Sequence, residues 1–454
     1  YFVLCNLCHP EKQHTSVIST LIKIKNYSDE RITTMKTACH PTLQSRQSVV
    51  ASCIVVYALC LAMHVYGQQH VASDRGFQLD FHTVAAPEWT ELFRRDSGWI
   101  GGDGLFSIPL NGVDTIGAGE HTETLLVFSD SFWGSKVNGK VTSGGRMTNN
   151  VVARIPSGTV RRENIRFHSG RAPDGQRAAV FVPSTPHAEP GNYYWLGDGF
   201  VNREKDNTTY IFAYRMRNTG AEVFGFEECG NTLIAIEAGE QPPFVRHRQF
   251  ETPLFVAGSE GREAYSFGAG ILVNAAWAGA PNPDGYCYIY GVRGMAKELL
   301  VARVLPKDME DFEKWTYWNG TDWDSDIQHA AAVTSSVSNE LSVTPLPDGR
   351  FVLIFQKNGI EPTIGLRVGQ SPVGPFGPIV PVFECPEPAR KKSLFAYNAK
   401  AHPHLSKKGE LLISYHVNSF EFLKDFNEEP DAFAPRFVRL VFHDTMVKKR
   451  SAGN

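Results

Sequence analysis

The sequence predicts an all-β fold, a five-bladed β-propeller of four-stranded antiparallel blades, on three observations. Its 454 residues contain 40 glycines and 27 prolines, which favours many turns over long helices. No long stretch keeps a helical period, so short strands must supply the core. Similar strand-containing units recur at intervals of roughly 60–85 residues, a spacing suited to propeller blades with long loops.

Each unit consists of two strand-like runs separated by a turn. The first runs of the five units are Asp103–Leu110, Asp198–Asn202, Phe267–Val273, Leu341–Pro345 and Lys400–Leu405. The second runs are Thr124–Ser129, Thr209–Tyr214, Tyr286–Tyr290, Arg350–Phe355 and Glu410–Tyr415. A single unit cannot bury its own faces, so the units are expected to stack around an axis. The final run, Phe437–Phe442, is expected to pair with one near Gln78–Thr83 and close the ring.

The N-terminal part of the chain is predicted to be separate from this fold. Residues 1–34 lack a clear periodicity and predict an untranslated or disordered leader. Residues 35–67 have the features of a secretion signal, since basic residues precede the apolar run Val49–Met63 and small residues precede Gln68. That run is shorter than the ~20 residues that span a bilayer. The prediction is a secreted or periplasmic protein with a linker at 68–77, the propeller at 78–446 and a disordered tail at 447–454.

Charge and cysteine content exclude several classes of protein. The net charge of -3 and the pI near 6.6 indicate no nucleic-acid partner, and no membrane association is expected once the signal is cleaved. Cys229, Cys287 and Cys385 are the cysteines beyond the signal, and their wide spacing fits neither a disulfide framework nor a zinc site. They are expected to be buried free thiols, with one bridge among them as the alternative. A monomer is expected.

The stretch from Gly101 to Asn150 carries most of the candidate chemistry. Two carboxylates, Asp103 and Asp130, adjoin its β-type runs and are close in sequence to aromatic and amide side chains: Trp99, Trp133, Asn149 and Asn150. A carboxylate beside aromatics and amides is the combination that a sugar site needs. Asp103 is followed by glycine, however, and an Asp-Gly pair is also typical of a turn.

Three segments resemble a known group of proteins. They are GGDGLFSIPL with LLVFSDSFWG and MTNNVVA in the first unit, YYWLGDGFV (Tyr193–Val201) in the second, and NAKAHPHLSKKGELLISYHVN (Asn398–Asn418) in the last. They resemble bacterial secreted five-bladed β-propellers, catalogued largely as domains of unknown function and related to glycoside hydrolases of the arabinanase and invertase types. The resemblance covers about Asp96–Phe442 and implies the propeller fold.

The resemblance also implies a glycoside hydrolase that cleaves a polysaccharide or oligosaccharide with paired carboxylates at the axial funnel. The expected assignment is Asp103 as base or nucleophile and Asp198 as general acid. Glu340 is a further candidate, and Asp130 is expected to orient a catalytic group or to bind a hydroxyl. The third unit departs from the pattern, because Tyr265–Val273 has no carboxylate where the proton donor is expected. A non-catalytic glycan-binding propeller and a metal-dependent lactonase or phosphoesterase therefore stay as alternatives.

Further side chains are predicted to bind substrate because they lie at strand ends near the funnel or flank the acidic motifs. They are Trp99, Trp133, Asn149, Asn150, Trp195, Arg215, Gln356, Tyr397 and His402. No cofactor is expected and no metal ligands are assigned, since the histidines show no tight ligand spacing. Calcium is the ion that axial carboxylates would suit.

Overall fold

The computed structural model describes residues 76–142, 145–220 and 225–443. The predicted leader (1–34), the signal (35–67), most of the linker and the C-terminal tail lie outside the described residues. Within the described ranges, no helix combines the length and the apolar character needed to cross a membrane.

The first part of the described chain is built from short strands. It begins with strand β1 (Phe81–Ala85), helix α1 (Pro87–Phe93) and strand β2 (Ser97–Gly102). The strands that follow are β3 (Phe106–Pro109), β4 (Thr124–Phe128), β5 (Ser131–Val137), β6 (Lys140–Val141), β7 (Arg146–Thr148), β8 (Val151–Ile155), β9 (Arg166–His168), β10 (Gly170–Arg171) and β11 (Arg177–Ala178). Strands β3, β4, β8 and β9 form a four-stranded sheet, which is the first of the repeating series. Strand β5 pairs with β2, β6 and β7 in a separate sheet, and β10 pairs with β11.

Longer strands make up the second and third sheets of the repeating series. The second sheet consists of β12 (Tyr193–Asn202), β13 (Thr208–Asn218), β14 (Phe226–Ile236) and β15 (His247–Glu251). The third consists of β16 (Phe255–Val256), β17 (Tyr265–Val273), β18 (Cys287–Arg293), β19 (Glu298–Val304), β20 (Thr316–Trp318) and β21 (Trp323–Asp324).

The last two sheets complete the series. One consists of β22 (Leu341–Pro345), β23 (Phe351–Gln356), β24 (Thr363–Gly369) and β25 (Val380–Glu384). After helix α2 (Glu387–Arg390) come β26 (Leu394–Ala401), β27 (Glu410–Ser419), helix α3 (Phe422–Glu428) and β28 (Arg436–Phe442), and these three strands form a sheet with β1. Short 3-10 turns lie at Gly119–His121, Arg162–Asn164, Ala276–Ala278, Pro306–Asp308, Phe312–Lys314, Ile327–His329, Pro403–Leu405 and Pro430–Phe433.

The core lies between successive sheets. Strands β4 and β23 are buried along their whole length, which explains why they read as continuous apolar runs (TLLVF and FVLIFQ) and not as an alternation. One cluster joins Val127 of β4 to Ile211 of β13, and another joins Ile354 of β23 to Ile413 of β27. Each sheet therefore stabilises its neighbours through both faces.

Strands β3, β12, β17, β22 and β26, each from a different sheet, contact one another in chain order. Strand β12 lies against β3 and β17, and β22 lies against β17 and β26. Lys400 at the end of β26 then reaches back to the first sheet, where its Nζ donates to the carbonyl of Leu105 at 3.0 Å. The ladders of β12, β17 and β26 each carry a register shift, and such bulges re-aim the side chains beside them.

The predicted mostly-β fold is confirmed. The first and second runs of every unit pair as adjacent antiparallel strands, and Thr83 of β1 lies opposite Leu440 of β28, as expected for ring closure. Two details are wrong. The third sheet has six strands and not four, because β16 and the hairpin β20–β21 extend it. The run Lys400–Leu405 is shifted, because β26 ends at Ala401 and Pro403, which lacks an N–H, starts a 3-10 turn.

Candidate active site

A pocket of about 590 Å³ is lined by both polar and apolar side chains. The polar residues include Asp103, Asp130, Tyr397 and Asn418. The apolar residues are Phe132, Met147, Phe226, Val417, Phe420, Phe422, Leu423 and Phe433. Its volume lies within the range of roughly 300–1,000 Å³ that is usual for small-molecule sites.

Asp103 and Asp130 face each other where the chain passes from one sheet to another. The β2–β5 ladder ends with Gly102 opposite Ser131, and the β3–β4 ladder begins only at Phe106. In the step between them, the Asp103 N–H donates to the carbonyl of Asp130 at 3.0 Å. Both side chains line the same pocket and the charge of Asp130 acts on Asp103, so the two carboxyl groups are neighbours.

Glycine makes this step in the backbone feasible. Gly104 has φ +66°, and a Cβ there would lie 2.6 Å from the Oγ of Ser129. Any other residue would be strained and would press on Ser129, whose N–H donates to the carbonyl of Asp103 at 2.9 Å. The Asp-Gly pair therefore belongs to an irregular step between two strands, and Asp103 in that step lines the pocket.

Asp103 is held by a chain of hydrogen bonds from the last sheet. The hydroxyl of Tyr397 donates to its Oδ2 at 2.5 Å, and the amide of Asn418 donates to the Tyr397 oxygen at 3.3 Å. Burial raises the pKa of Asp103 well above its ordinary value, the charge of Asp130 raises it further, and the Tyr397 hydrogen bond opposes both. Asp103 therefore tends to keep its proton.

Asp130 is held by two donors that were expected to bind substrate. The indole N–H of Trp195 donates to its Oδ1 at 3.0 Å, and the amide of Asn149 donates to the same atom at 3.2 Å. Burial raises the pKa of Asp130 to about 6, although both hydrogen bonds favour the ionised form. Near neutral pH the two neighbouring carboxyl groups can thus hold one proton between them, which makes one an acid and the other a base.

Asp198 lies elsewhere, in a narrow cavity of about 20 Å³ that also contains Lys400 and His402. Its Oδ2 accepts the N–H of Ile271 at 2.7 Å and its Oδ1 accepts that of Gly199 at 2.8 Å. Burial raises the pKa of Asp198 to about 7. The carboxylate ties the bulge of β12 to β17, and it does not line the pocket that contains Asp103.

Glu340 forms a buried pair with Lys400 in the same interior region. Its Oε2 pairs with the Lys400 ammonium, and its Oε1 accepts the amide of Asn398 at 2.7 Å. Burial raises the pKa of Glu340 and lowers that of Lys400. Both side chains are therefore satisfied within the protein and are not oriented toward a ligand.

Two of the expected aromatic residues lie in the core. Trp99 is 1% exposed and its ring stacks on Phe167 with centroids 4.3 Å apart. Trp133 is covered by the guanidinium of Arg177, 3.9 Å from its ring, and its indole N–H donates to Thr148. These contacts place both side chains away from the pocket and correct the expectation that they bind substrate.

Four polar candidates are also committed to structural contacts. Asn150 is buried and bonds the backbone of Phe181 in both directions. Gln356 is buried and its amide donates to a backbone carbonyl, and His402 shares hydrogen bonds with Ser107 and Ser414. Arg215 pairs with a glutamate at 2.7 Å beside a different pocket of about 410 Å³. None of the four lines the pocket of Asp103.

Sequence reasoning missed Glu228 and Asn418. Glu228 is half-buried and accepts the hydroxyl of Ser266 at 2.6 Å, and burial raises its pKa to about 8. It lies two residues after the pocket-lining Phe226 and so shares its strand face. Its signal was weak because it lies on a third strand, whereas only the first two runs of each unit were recognised.

The structure also bears on the expected free cysteines and on the possible binding of a metal ion. Cys229, Cys287 and Cys385 are free, and the latter two are buried as expected. In the ranges that the structure describes, no three His, Cys, Asp or Glu side chains come together as a metal site would require. The suitability of the carboxylates for calcium stays a prediction.

Comparison with known proteins gives one family and several similar folds. The structure of a Bacteroides ovatus ATCC 8483 protein, for which hydrolase activity has been suggested, has 18% identity and a TM-score of 0.60 over 79% of this chain and 90% of that one. An α-L-arabinofuranosidase from Clostridium thermocellum ATCC 27405 has 13% identity and a TM-score of 0.38 over 69% of this chain and 82% of that one. An exo-β-1,3-galactanase from Phanerochaete chrysosporium has 10% identity and a TM-score of 0.37 over 79% of this chain and 64% of that one.

These comparisons differ in what they establish. The Bacteroides ovatus protein shows a shared fold, and the other two likenesses are too distant to carry an argument. No curated protein matches the sequence. A family model described as "Domain of unknown function (DUF5005)" matches residues 87–443, which is most of the chain, and the protein therefore belongs to the DUF5005 family.

Proposed function

We propose that this chain is an exported five-bladed β-propeller that acts as a glycoside hydrolase on an oligosaccharide or polysaccharide. The propeller interpretation is supported by five sheets whose strands β3, β12, β17, β22 and β26 contact one another in chain order, with β1 and β28 paired in the fifth. Export is supported by the signal-like sequence at 35–67, and N-terminal sequencing of secreted protein should find Gln68 first.

The observation that carries the activity is the pair of adjacent, half-buried carboxyl groups in one pocket. Glycoside hydrolysis needs one carboxyl to protonate the leaving oxygen and another to act as base or nucleophile. Asp103, whose pKa is raised more, is the proton donor in our proposal. Asp130, ionised above about pH 6, is the base or nucleophile. This assignment replaces the pairing of Asp103 with Asp198.

The side chains around the pair have supporting roles. Asn149 and Trp195 keep Asp130 oriented, and Tyr397 does the same for Asp103. The amide of Asn418 is the neighbouring group best suited to bind a sugar hydroxyl, because it lies in the pocket next to Tyr397.

The proposal is tested by measuring sugar release from a panel of polysaccharides and aryl glycosides. Wild type is compared with Asp103→Asn, Asp130→Asn and the control Asp174→Asn. Asp174 is an exposed turn residue whose Oδ1 accepts the N–H of Gln176 at 2.9 Å, a bond that asparagine preserves. Release by wild type and the control, with at least a hundredfold loss in both pocket variants, is expected. Undiminished release by both pocket variants would refute the site.

A non-catalytic glycan-binding protein is the second candidate, and one observation favours it. Strand β17 carries no carboxylate, and Glu263 just before it is engaged by the N–H of Met295 at 2.8 Å. The third sheet therefore contributes no proton donor to the pocket. Glycan binding that both pocket variants weaken, without any sugar release by wild type, would support this alternative.

A further inference from the structure

The polar side chains that line the pocket form two groups. Tyr397 connects Asp103 to Asn418 by hydrogen bonds, and Asp130 is their neighbour. The other polar side chains of the described lining are engaged with one another or with α3: Ser419 donates to Asp425 at 2.5 Å and Lys424 pairs with Glu421 at 2.7 Å. A ligand therefore finds most of its hydrogen-bond partners around Asp103 and Asp130.

The rest of the wall is a fixed apolar surface. Phe422 packs edge-on against Phe433 with ring centroids 5.2 Å apart, and Phe132 lies 5.3 Å from Phe422. Phe426 of α3 supports this group from behind, 4.5 Å from Phe132. The surface is held in place because Asp425 of the same helix accepts hydrogen bonds from two serines.

Large apolar side chains also stand exposed at the rim of the pocket. Leu423 is 78% exposed, Met147 is 50% exposed and Phe420 is 42% exposed. All three line this one pocket, Met147 from β7 and the other two from the segment around the start of α3. Exposed apolar groups gathered at one place mark a binding surface more often than chance.

We propose that the pocket takes a glycoside with an apolar aglycone, an alkyl or aryl group, and this inference rests on the proposed function. The sugar would lie at Asp103 and Asp130, and the aglycone would cover the phenylalanine wall and the rim. Phenyl rings can pack against the C–H face of a sugar, but phenylalanine, leucine and methionine side chains offer no hydrogen-bond partner to its hydroxyl groups. An alkyl or aryl group needs no such partner and removes more of the exposed apolar surface from water.

The test compares methyl and n-hexyl glycosides of the same sugars, because the two alcohols are similar leaving groups and differ mainly in apolar surface. Affinity is measured by calorimetry, so that no turnover is needed. Burying about half of the five added methylene groups predicts roughly 10- to 30-fold tighter binding of the hexyl glycoside to wild type.

Matched variants locate the effect. Met147→Ser and Leu423→Ser should lose most of the hexyl preference. Met295→Ser and Val245→Ser should keep it, because these side chains are 53% and 80% exposed but do not line the pocket. All four positions are at the surface, and unchanged thermal unfolding checks that the fold is intact.

The outcomes separate this inference from the proposed function. Three results would overturn the inference. They are equal affinity for the two glycosides, no binding of any member of the panel at millimolar concentration, and a hexyl preference that all four variants retain. It would be overturned in this way even if Asp103→Asn abolished sugar release. The inference is supported if Met147→Ser and Leu423→Ser lose the preference for the hexyl glycoside and the two control variants keep it. This holds even if wild type releases no sugar, a result that would refute only the hydrolase proposal.

Discussion

The buried pair of Lys400 and Glu340 gives a prediction that does not depend on any substrate. In Lys400→Met the side chain keeps its approximate length, but Glu340 loses its cationic partner and the carbonyl of Leu105 loses its donor. Removing one partner of a buried ion pair typically costs about 3–5 kcal/mol of unfolding free energy.

The free energy needed to protonate Glu340 limits how much the loss of its partner can cost. Glu340 has an ordinary pKa of 4.5, so forcing it to take up a proton at pH 7 costs about 3 kcal/mol, from 2.5 pH units at about 1.4 kcal/mol each. The variant is therefore expected to lose about 3 kcal/mol at pH 7, plus about 1 kcal/mol for the unpaired carbonyl. In the variant the folded-state pKa of Glu340 lies above its unfolded value, so the protonation cost disappears near pH 4.5 and grows as pH rises.

Urea unfolding followed by tryptophan fluorescence measures this loss at several pH values. Glu340→Gln/Lys400→Met should recover part of it, because glutamine carries no charge and still accepts the amide of Asn398. Three results would refute the reasoning. They are a Lys400→Met variant as stable as wild type, a loss of unfolding free energy that does not change with pH, and a double variant whose loss equals the sum of the losses of its single variants.

Three further predictions follow from the contacts described. Tyr397→Phe removes the donor that favours ionised Asp103, so the pKa of Asp103 should rise further and the alkaline limb of a pH–rate profile should move to higher pH. Asp425→Ala leaves two serine hydroxyls without their acceptor and removes one of the carboxylates that pair with Lys391, so it should lower the unfolding free energy by about 3 kcal/mol, measured in urea. Alkylation with iodoacetamide followed by peptide mapping should modify half-buried Cys229 before Cys287 and Cys385, because burial raises the pKa of the latter two thiols.

The sequence contained enough information for the strand pairs but only part of the site. Runs such as Phe351–Gln356 are apolar, bounded by turn residues and repeated, so their pairing could be predicted before any coordinates. Asp103 and Asp130 could be singled out because each adjoins such a run. Their proximity could not be predicted, since it depends on the step between two ladders, the β2–β5 pair and the β3–β4 pair.

The errors have a common physical cause. Asp198 opens an apolar run just as Asp103 does, but a bulge in β12 turns its carboxylate toward the N–H of Ile271. Trp99 and Trp133 flank the acidic motifs in sequence, and only tertiary packing determines that they are buried. Local sequence predicts which residues belong to a strand, whereas the direction of a side chain relative to the axis depends on contacts with other sheets.

The pairing of β1 with β28 has a consequence for how the protein is made. Its two strands are separated by more than 350 residues, as the contact between His82 and His443 illustrates, so β1 cannot join its sheet until β28 has been synthesised. Until then β1, an edge strand of that sheet, has no partner strand. Such late, distant pairing slows folding and leaves a strand edge exposed to other chains, so a protein shortened by a few residues within β28 should aggregate during expression and not accumulate as a smaller soluble form.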